Sequence, residues 1–431
     1  MKQFLHSQRF QRLFKEGFWV VFGQVMLVLG SLVGIRILTG LMSPSAYGEL
    51  ALGMTVASLV HSLIMDPIGS GVTRYYAVAV EQGDLWGYLK AVRSLVSLAN
   101  GGIVFLFLIA VLGLFIIGKS QWVGLAVVSF IYAALNSNNS ILNGIQNVAR
   151  QRSIVALHQG MEPWARFLVA AGLVIIFGAT GTAAMAGYAL GVIFILISQY
   201  LFFRRIIPTN RTVKDGGKDW IADIWNFSWP LTTWGIFSWA QVASDRWALG
   251  LFSTTHDVGM YAVLYQLGYY PVLLVTGMAV QFLSPIFYQR AGDGTDGQRN
   301  ANVAKLSWYL MGLSFGITFV AVFLAFFLNR QIFHIFVAKE YASVSYLLPW
   351  MLLSGGISAA SQTFTLNLMS QMKINEMAKA RIITPILGVV FNIVGACWYG
   401  TKGVVFASLL FSIIYFIWMA LIFKKAVGKC R

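Results

Sequence analysis

Apolar residues run through the chain in long stretches, broken by short polar turns. A helix of about 20 residues crosses the hydrocarbon core of a bilayer, whereas the strands of a membrane barrel alternate over about 10 residues. These stretches do not alternate, so the pattern predicts an all-α polytopic membrane protein. We place its twelve transmembrane helices at residues 17–40, 46–68, 91–117, 121–142, 157–177, 181–203, 225–251, 258–283, 304–328, 343–368, 378–399 and 402–423.

Composition supports a membrane protein without catalytic chemistry. The chain is 58% hydrophobic and 11% charged, where a soluble domain carries about 25% charged residues. Its two cysteines, Cys397 and Cys430, indicate neither a disulfide framework nor a metal cluster. The sequence also lacks metal-ligand spacings, a phosphate-binding loop and a nucleophile elbow. We therefore expect no metal, no cofactor and no enzymatic activity.

The positive charges lie mostly on one predicted side of the membrane. With both termini inside, the inward segments hold 25 of the 31 Lys and Arg residues, Arg166 among them, and the outward segments hold four. This bias predicts cytoplasmic termini. It explains the net charge of +16 without a nucleic-acid partner, although the basic face can contact acidic lipids. The two remaining cations, Arg36 and Arg246, lie inside apolar stretches.

These two arginines belong to a repeated segment. Residues 34–43 read GIRILTGLMS and residues 244–253 read SDRWALGLFS, 210 positions apart. In both, the arginine is followed by Gly at +4, Leu at +5, a large apolar residue at +6 and Ser at +7. A chance match is the alternative to duplication. Duplication predicts two six-helix bundles, 1–210 and 225–431, related by an axis along the membrane normal and joined by a cytoplasmic linker at 211–224.

Several short signatures then carry a family resemblance. They are SPSAYG (43–48), DPIGSGVTRYYA (66–77), ILNGIQNVARQR (141–152), NLMSQMKINEMAKARI (367–382) and YGTKGVVFAS (399–408). The chain resembles the Wzx-type polysaccharide (O-antigen) flippases, in the superfamily of multidrug, oligosaccharidyl-lipid and polysaccharide exporters. The resemblance implies two bundles around a central cavity. It also implies alternating access that carries a polyprenyl-diphosphate-linked oligosaccharide from the cytoplasmic to the periplasmic leaflet of a bacterial inner membrane.

The arginines are the first candidates for the cavity. Arg36 and Arg246 each precede a serine by seven residues, roughly 10 Å along a helix, which places both in the outer half of the membrane. A guanidinium matches phosphate oxygens and stays charged, so we expect both to face a diphosphate or acidic sugars. The alternative is that each reaches outward to the interface or pairs with a carboxylate or backbone carbonyls.

Two further groups of residues are candidates for contact with the glycan. A helical wheel places Trp229 and Trp239 on the same face as Arg246, with Asp245 on the other side. Such a face suits sugar rings, although interfacial belts and packing also use tryptophan. A polar stripe on the fourth helix either lines water or bonds a neighbouring helix. It contains Asn136, Asn139 and Asn143.

Coupling to H⁺ or Na⁺ requires a group that binds the ion in one state and releases it in the other. Asp245, Asp66 and His61 are the candidates. The alternative for Asp245 is an ion pair with Arg36 or with another helix. The alternative for Asp66 is a position at a helix end before Pro67. The alternative for His61 is a histidine that is hydrogen-bonded within the protein or that lines the pore.

Two other functions compete with the flippase. A drug antiporter of the same superfamily has the same fold, but paired arginines disfavour cationic drugs. A membrane polysaccharide polymerase is less favoured because the chain lacks a long outward loop rich in arginine. Polysaccharide assembly enzymes are possible partners at the inner loops.

Overall fold

The computed structural model describes residues 2–207, 219–291, 296–371 and 374–428. Helices fill these ranges, and no strand occurs within them. The long helices are α1 (Lys2–Leu41), α2 (Pro44–Val60), α3 (Asp66–Glu81), α4 (Leu85–Ile116), α5 (Val123–Val148), α6 (Arg152–Phe177), α7 (Gly181–Phe203), α8 (Trp220–Phe252), α9 (Thr255–Ala291), α10 (Gly297–Phe336), α11 (Leu348–Ser370) and α12 (Ile374–Gly428). A π-helical segment, His61–Met65, joins α2 to α3, and short 3₁₀ turns precede α5 and α11.

The helix count agrees with the sequence. α2, the π segment and α3 form one continuous helix, and α12 is two helices because Gly400 leaves the helical path (φ 54°, ψ −134°). Taken this way, the described ranges hold the twelve predicted helices. Ten helices there, with α12 counted once, are long and apolar enough to cross a membrane. The all-α, polytopic class is confirmed.

Polar residues between the apolar stretches start and stop the helices. Ser43 caps α2 by accepting a hydrogen bond from the Ala46 amide (3.3 Å), and Pro44 occupies the first helical position, where a missing N–H costs nothing. Thr180 caps α7 through the Ala183 amide (3.1 Å). Capped helix starts at Ser43 and Thr180 therefore separate neighbouring spans.

Several helices begin earlier than predicted, and at one of them the difference changes the charge count. We placed the start of the fifth helix at residue 157, but α6 begins at Arg152. Arg166, counted with the inward loops, therefore lies in the middle of α6, and the inward count falls from 25 to 24. The start was misjudged because Glu162 and Arg166 look like loop residues, whereas in the structure they bind each other within the helix.

The first compact unit spans Met1–Trp239 and contains α1 to α7 with the first half of α8. Small residues bring its helices together, as is common inside membranes. A Cβ added at Gly191 of α7 would lie 2.8 Å from the Arg166 Cα of α6. The start of α8 is fixed by Trp220, whose indole Nε1 donates to Asp84 Oδ2 at 2.8 Å.

The second compact unit spans Ala240–Arg431. Its cores form where α9, α10, α11 and α12 meet, and they consist of Ala304, Phe364, Leu368, Met377, Ala380, Met419 and Phe423, and of Phe287, Ala291, Val303 and Leu366. The boundary between the two units falls within α8. Most of the predicted linker, residues 211–218, lies outside the described residues. The division into bundles 1–210 and 225–431 stays a prediction.

Candidate functional site

The second unit holds a nearly buried ion pair on α8. Arg246 Nη1 lies 3.2 Å from Asp245 Oδ1, and the two side chains are 12% and 5% exposed. The same carboxylate oxygen accepts the Arg246 amide at 2.6 Å. Arg246 Nη1 also donates to the Val242 carbonyl at 3.2 Å. The guanidinium carbon lies 4.5 Å from the ring centre of Tyr265 and 5.9 Å from that of Tyr261, within the range of a cation–π interaction.

This geometry corrects the helical wheel. We placed Arg246 and Asp245 on different sides of the helix, and that separation is wrong. Their Cβ atoms do diverge, but a wheel gives only the direction in which a side chain leaves the backbone. Arginine is long enough to bend back over the adjacent carboxylate. Arg246 therefore pairs with a carboxylate, as the alternative to a cavity role expects, and that carboxylate belongs to the preceding residue, Asp245.

A tyrosine ladder on α9 completes this cluster. Tyr261, Tyr265 and Tyr269 recur every four residues, with ring centres 6.3 and 5.2 Å apart. Buried serines of α11 and α12 bind the ladder. The Tyr269 hydroxyl donates to Ser358 Oγ at 2.9 Å, and the Tyr261 hydroxyl lies 3.4 Å from Ser408 Oγ. Sequence reasoning missed this cluster, although tyrosines at every fourth position of an apolar helix were its signal.

A small cavity adjoins Asp245 inside this cluster. Its volume is about 20 Å³, which is room for one water molecule. The walls include Gln241, Asp245, Tyr261, Tyr265, Tyr269 and Ser408. A carboxylate, hydroxyls and an amide oxygen around one such space are ligands suited to a hard cation or a bound water.

The first unit contains a second arginine of the same chemistry, which is largely buried. Arg166 Nη1 lies 3.3 Å from Glu162 Oε1, and both side chains are 18% exposed. The same nitrogen donates to the Tyr132 hydroxyl at 3.2 Å. The guanidinium carbon lies 4.9 Å from the ring centre of Tyr188. Sequence reasoning missed this site, although a carboxylate and an arginine four residues apart on one helix were its signal.

Arg36 has different surroundings. It is exposed on α1, whereas Ile35, Leu38 and Thr39 beside it are buried. The Thr39 hydroxyl donates to the Ile35 carbonyl at 2.8 Å. Arg36 therefore lies on the side of α1 away from its packed face. Its role in a cavity stays a prediction.

The two candidate tryptophans also differ from each other. The Trp239 indole Nε1 donates to the Thr55 carbonyl at 2.9 Å and to Ser58 Oγ at 3.2 Å. These bonds to α2 favour the packing interpretation for Trp239. Trp229 is 54% exposed, which leaves its indole accessible. Contact of either ring with sugar stays a prediction.

One asparagine of the predicted polar stripe on α5, Asn143, bonds a neighbouring helix. Asn143 Oδ1 accepts a hydrogen bond from Gln199 Nε2 of α7 at 2.6 Å. Asn139 is 4% exposed and Asn136 is half-buried. Asn138, which lies off the predicted stripe, exchanges two hydrogen bonds with Asn100 of α4, at 3.1 and 3.3 Å.

The remaining ion-coupling candidates lie at the two ends of the π segment. His61 begins it, and His61 Nδ1 lies 3.2 Å from the fully buried Ser137 Oγ, so the satisfied-histidine alternative describes its packing. Asp66 follows the segment and is exposed. Single-turn π insertions often mark functional positions. Within the described ranges no three His, Cys, Asp or Glu side chains group closely enough to hold a metal.

Long apolar helices with paired charges inside them define the class of protein, a multi-pass integral membrane protein. Comparison with known proteins gives the family. The sequence profile of the family described as "Polysaccharide biosynthesis protein" matches residues 5–290, more than half of the chain. The chain belongs to this family. Among curated proteins, none matches the chain in sequence.

Solved structures share its fold. An inward-facing multidrug resistance MATE transporter of the MOP superfamily is 13% identical, with 94% of this chain and 96% of that chain covered and a TM-score of 0.69. The lipid II flippase MurJ, inward closed, is 13% identical, with 97% and 90% covered and a TM-score of 0.69. A variant of the Vibrio cholerae MATE transporter VcmN is 15% identical, with 97% of both chains covered and a TM-score of 0.56. The family match bears out the resemblance to polysaccharide biosynthesis proteins, and the chain has the fold of the MATE transporters and of MurJ.

Proposed function

We propose that the protein moves a polyprenyl-diphosphate-linked oligosaccharide from the cytoplasmic to the periplasmic leaflet of a bacterial inner membrane, with both termini cytoplasmic. The match to the polysaccharide biosynthesis family over residues 5–290 carries this proposal. A transporter in such a pathway must carry a glycan whose hydroxyls and diphosphate cannot cross hydrocarbon unaided. The fold shared with MurJ, which is described as a lipid II flippase, supports the same proposal.

The cationic residues inside the helices supply the chemistry for an anionic headgroup. A charged side chain at the centre of a membrane helix costs about 2.5–3.5 kcal/mol on insertion scales. Arg36 is exposed on α1, so a water-filled cavity would accommodate it at lower cost than lipid. The guanidinium would hold the diphosphate while the polyprenyl chain stays in the bilayer.

Asp245 is the proposed coupling residue. It adjoins the cavity of about 20 Å³ and holds Arg246 at 3.2 Å. Binding of H⁺ or Na⁺ at this carboxylate would compete with that ion pair. An antiport cycle needs an element with two states that the ion biases, and the paired and unpaired forms of Asp245 and Arg246 would provide it. His61 and Asp66, at the ends of the π segment, are the second such location.

A reconstituted system tests the proposal. Proteoliposomes would carry a fluorescent polyprenyl-diphosphate oligosaccharide, and a membrane-impermeant glycosidase would report its leaflet. We expect the protein to expose the inner-leaflet pool to the enzyme, and an imposed H⁺ or Na⁺ gradient to speed this. Movement of lipophilic cations without movement of the glycolipid would instead establish the drug-antiporter alternative.

A further inference from the structure

A basic pocket lies within the second unit, between the end of α9 and the first turns of α10. It has a volume of about 440 Å³. The residues that line it are Arg290, Arg299, Asn302, Lys305, Leu306 and Tyr309. Three of these six are cations and none is a carboxylate. The pocket lies apart from the Arg246 cluster, and none of the candidate residues above lines it.

The helix geometry explains why these cations converge. Arg299, Asn302, Lys305 and Tyr309 recur at intervals of three or four residues, so they share one face of α10. Arg290 comes from the last turn of α9. The positive end of the α10 dipole adds to the field at this site, since the first turns of a helix favour anions.

Asp296, the acidic partner of Arg299 in the described part of the chain, holds it only loosely. Asp296 caps α10, and its Oδ1 accepts the Gln298 and Arg299 amides at 2.8 and 3.1 Å. Its Oδ2 lies 4.0 Å from Arg299 Nε, and the two side chains are 51% and 59% exposed. Exposed pairs at this distance contribute little. The guanidinium can therefore turn to a phosphate without losing a strong partner.

The other end of the pocket is apolar. Leu306 packs on the core of Phe287, Ala291, Val303 and Leu366, and the Tyr309 ring is 78% exposed. Exposed tyrosines near the end of a membrane helix are typical of the membrane interface. The charge bias of the sequence assigns this end of α10 to the cytoplasmic side. A charged end and an apolar end at an interface match an anionic lipid headgroup rather than a free soluble anion.

We propose that this pocket binds the phosphate or diphosphate of a lipid in the cytoplasmic leaflet. Arg299 and Lys305 hold the phosphate oxygens from α10, Arg290 holds them from α9, and the acyl or polyprenyl chain leaves past Leu306 and Tyr309. Two lipids offer this chemistry: an acidic phospholipid and the polyprenyl diphosphate. The second case rests on the proposed function, and the site would then be where substrate first docks.

A binding assay with matched variants tests the site. The intact protein, in nanodiscs of phosphatidylcholine, would be titrated with a long-chain polyprenyl diphosphate and, separately, with phosphatidylglycerol. The test variant is Arg299→Gln with Lys305→Gln. The control is Lys90→Gln with Arg93→Gln, which removes the same charge from two exposed residues of α4. We expect the test variant to weaken binding about tenfold or more, because charge-assisted hydrogen bonds to phosphate are lost, and the control to change it less than about twofold.

The outcomes separate the two lipids and the two proposals. Loss confined to the polyprenyl diphosphate identifies a substrate-docking site, and loss for both ligands identifies a general lipid-phosphate site. Equal binding in the test variant and the wild type, or an equal loss in the control, overturns the site. Glycolipid flipping by wild-type protein is measured independently, so failure of the pocket leaves the proposed function standing. Arg299→Lys keeps the charge, and it should retain binding if the test variant fails for lack of charge rather than for misfolding.

Discussion

The ion pair of Asp245 and Arg246 gives the sharpest test of the site's energetics. Replacing Asp245 by Asn leaves a guanidinium that is only 12% exposed without its carboxylate. Removing one partner of a buried pair costs about 3–5 kcal/mol. The Val242 carbonyl and the Tyr265 ring still hold Arg246, so we expect the low end, about 3 kcal/mol. Arg246→Met keeps the apolar stem and allows Asp245 to take up a proton, and we expect about 2 kcal/mol.

The double variant is the informative one. Replacing a buried pair by hydrophobic residues is often neutral, but Asn stays polar, so Asp245→Asn with Arg246→Met should cost about 2 kcal/mol. That is less than the sum of the single changes. The coupling free energy would then be about 3 kcal/mol. Unfolding in mixed micelles, followed by tryptophan fluorescence, measures all three variants.

A control pair and a clear contrary result complete this test. Asp296 and Arg299 lie 4.0 Å apart at the surface, and Arg299→Met should cost no more than about 1 kcal/mol. If both single variants at the α8 pair cost less than about 1 kcal/mol and their effects add, the pair is not the structural element described here.

Three further predictions follow from the same contacts. Arg36→Ala should change the free energy of unfolding by no more than about 1 kcal/mol, because the side chain is exposed. It should reduce glycolipid flipping in proteoliposomes about tenfold, because a hydrogen bond to a charged group is lost. Unchanged flipping at normal protein levels would show that Arg36 does not contact the substrate. Gly191→Val should lower the yield of folded protein in size-exclusion chromatography, because a Cβ at this position lies 2.8 Å from α6. Gly172→Ala is the control and should keep the yield, because open space surrounds Gly172. Equal yields would contradict the close packing. Trp239→Phe should destabilise the protein by about 1 kcal/mol in the same unfolding assay, because its hydrogen bond to α2 is lost. Trp229→Phe should have no such effect. Equal effects of the two variants would argue against the packing role of Trp239.

The helices were predictable because one physical rule governs them. A bilayer requires spans of about 20 apolar residues whose backbone hydrogen bonds are made within the span. Such spans can therefore be predicted from the sequence without knowledge of tertiary contacts. Even the break within α12 was visible, since Gly400 separates two apolar runs. The continuous helix from Pro44 to Glu81 was partly missed because Asp66 and Pro67 resemble a helix end. The π segment absorbs that irregularity within the helix instead.

The side-chain partners were much less predictable. Arg166 looked like an inward loop charge, and only the fold shows that Tyr132 and Tyr188, from α5 and α7, surround it. Arg246 was identified as a charge inside an apolar helix, but its partner was assigned to the wrong side. A charged residue in an apolar stretch indicates where an ion pair or a binding site lies. The side chains of the neighbouring helices determine what that charged residue binds.

The most direct test of the central claim is the leaflet location of the polyprenyl-linked oligosaccharide in cells depleted of the protein. Spheroplasts and inside-out vesicles from the same culture would be treated with an impermeant glycosidase. We expect the glycolipid to accumulate on the cytoplasmic leaflet, where only the inside-out vesicles expose it, and to return to the periplasmic leaflet when the wild-type chain is restored. Accumulation of unpolymerised glycolipid on the periplasmic leaflet would contradict the flippase function and would place the protein at a later step.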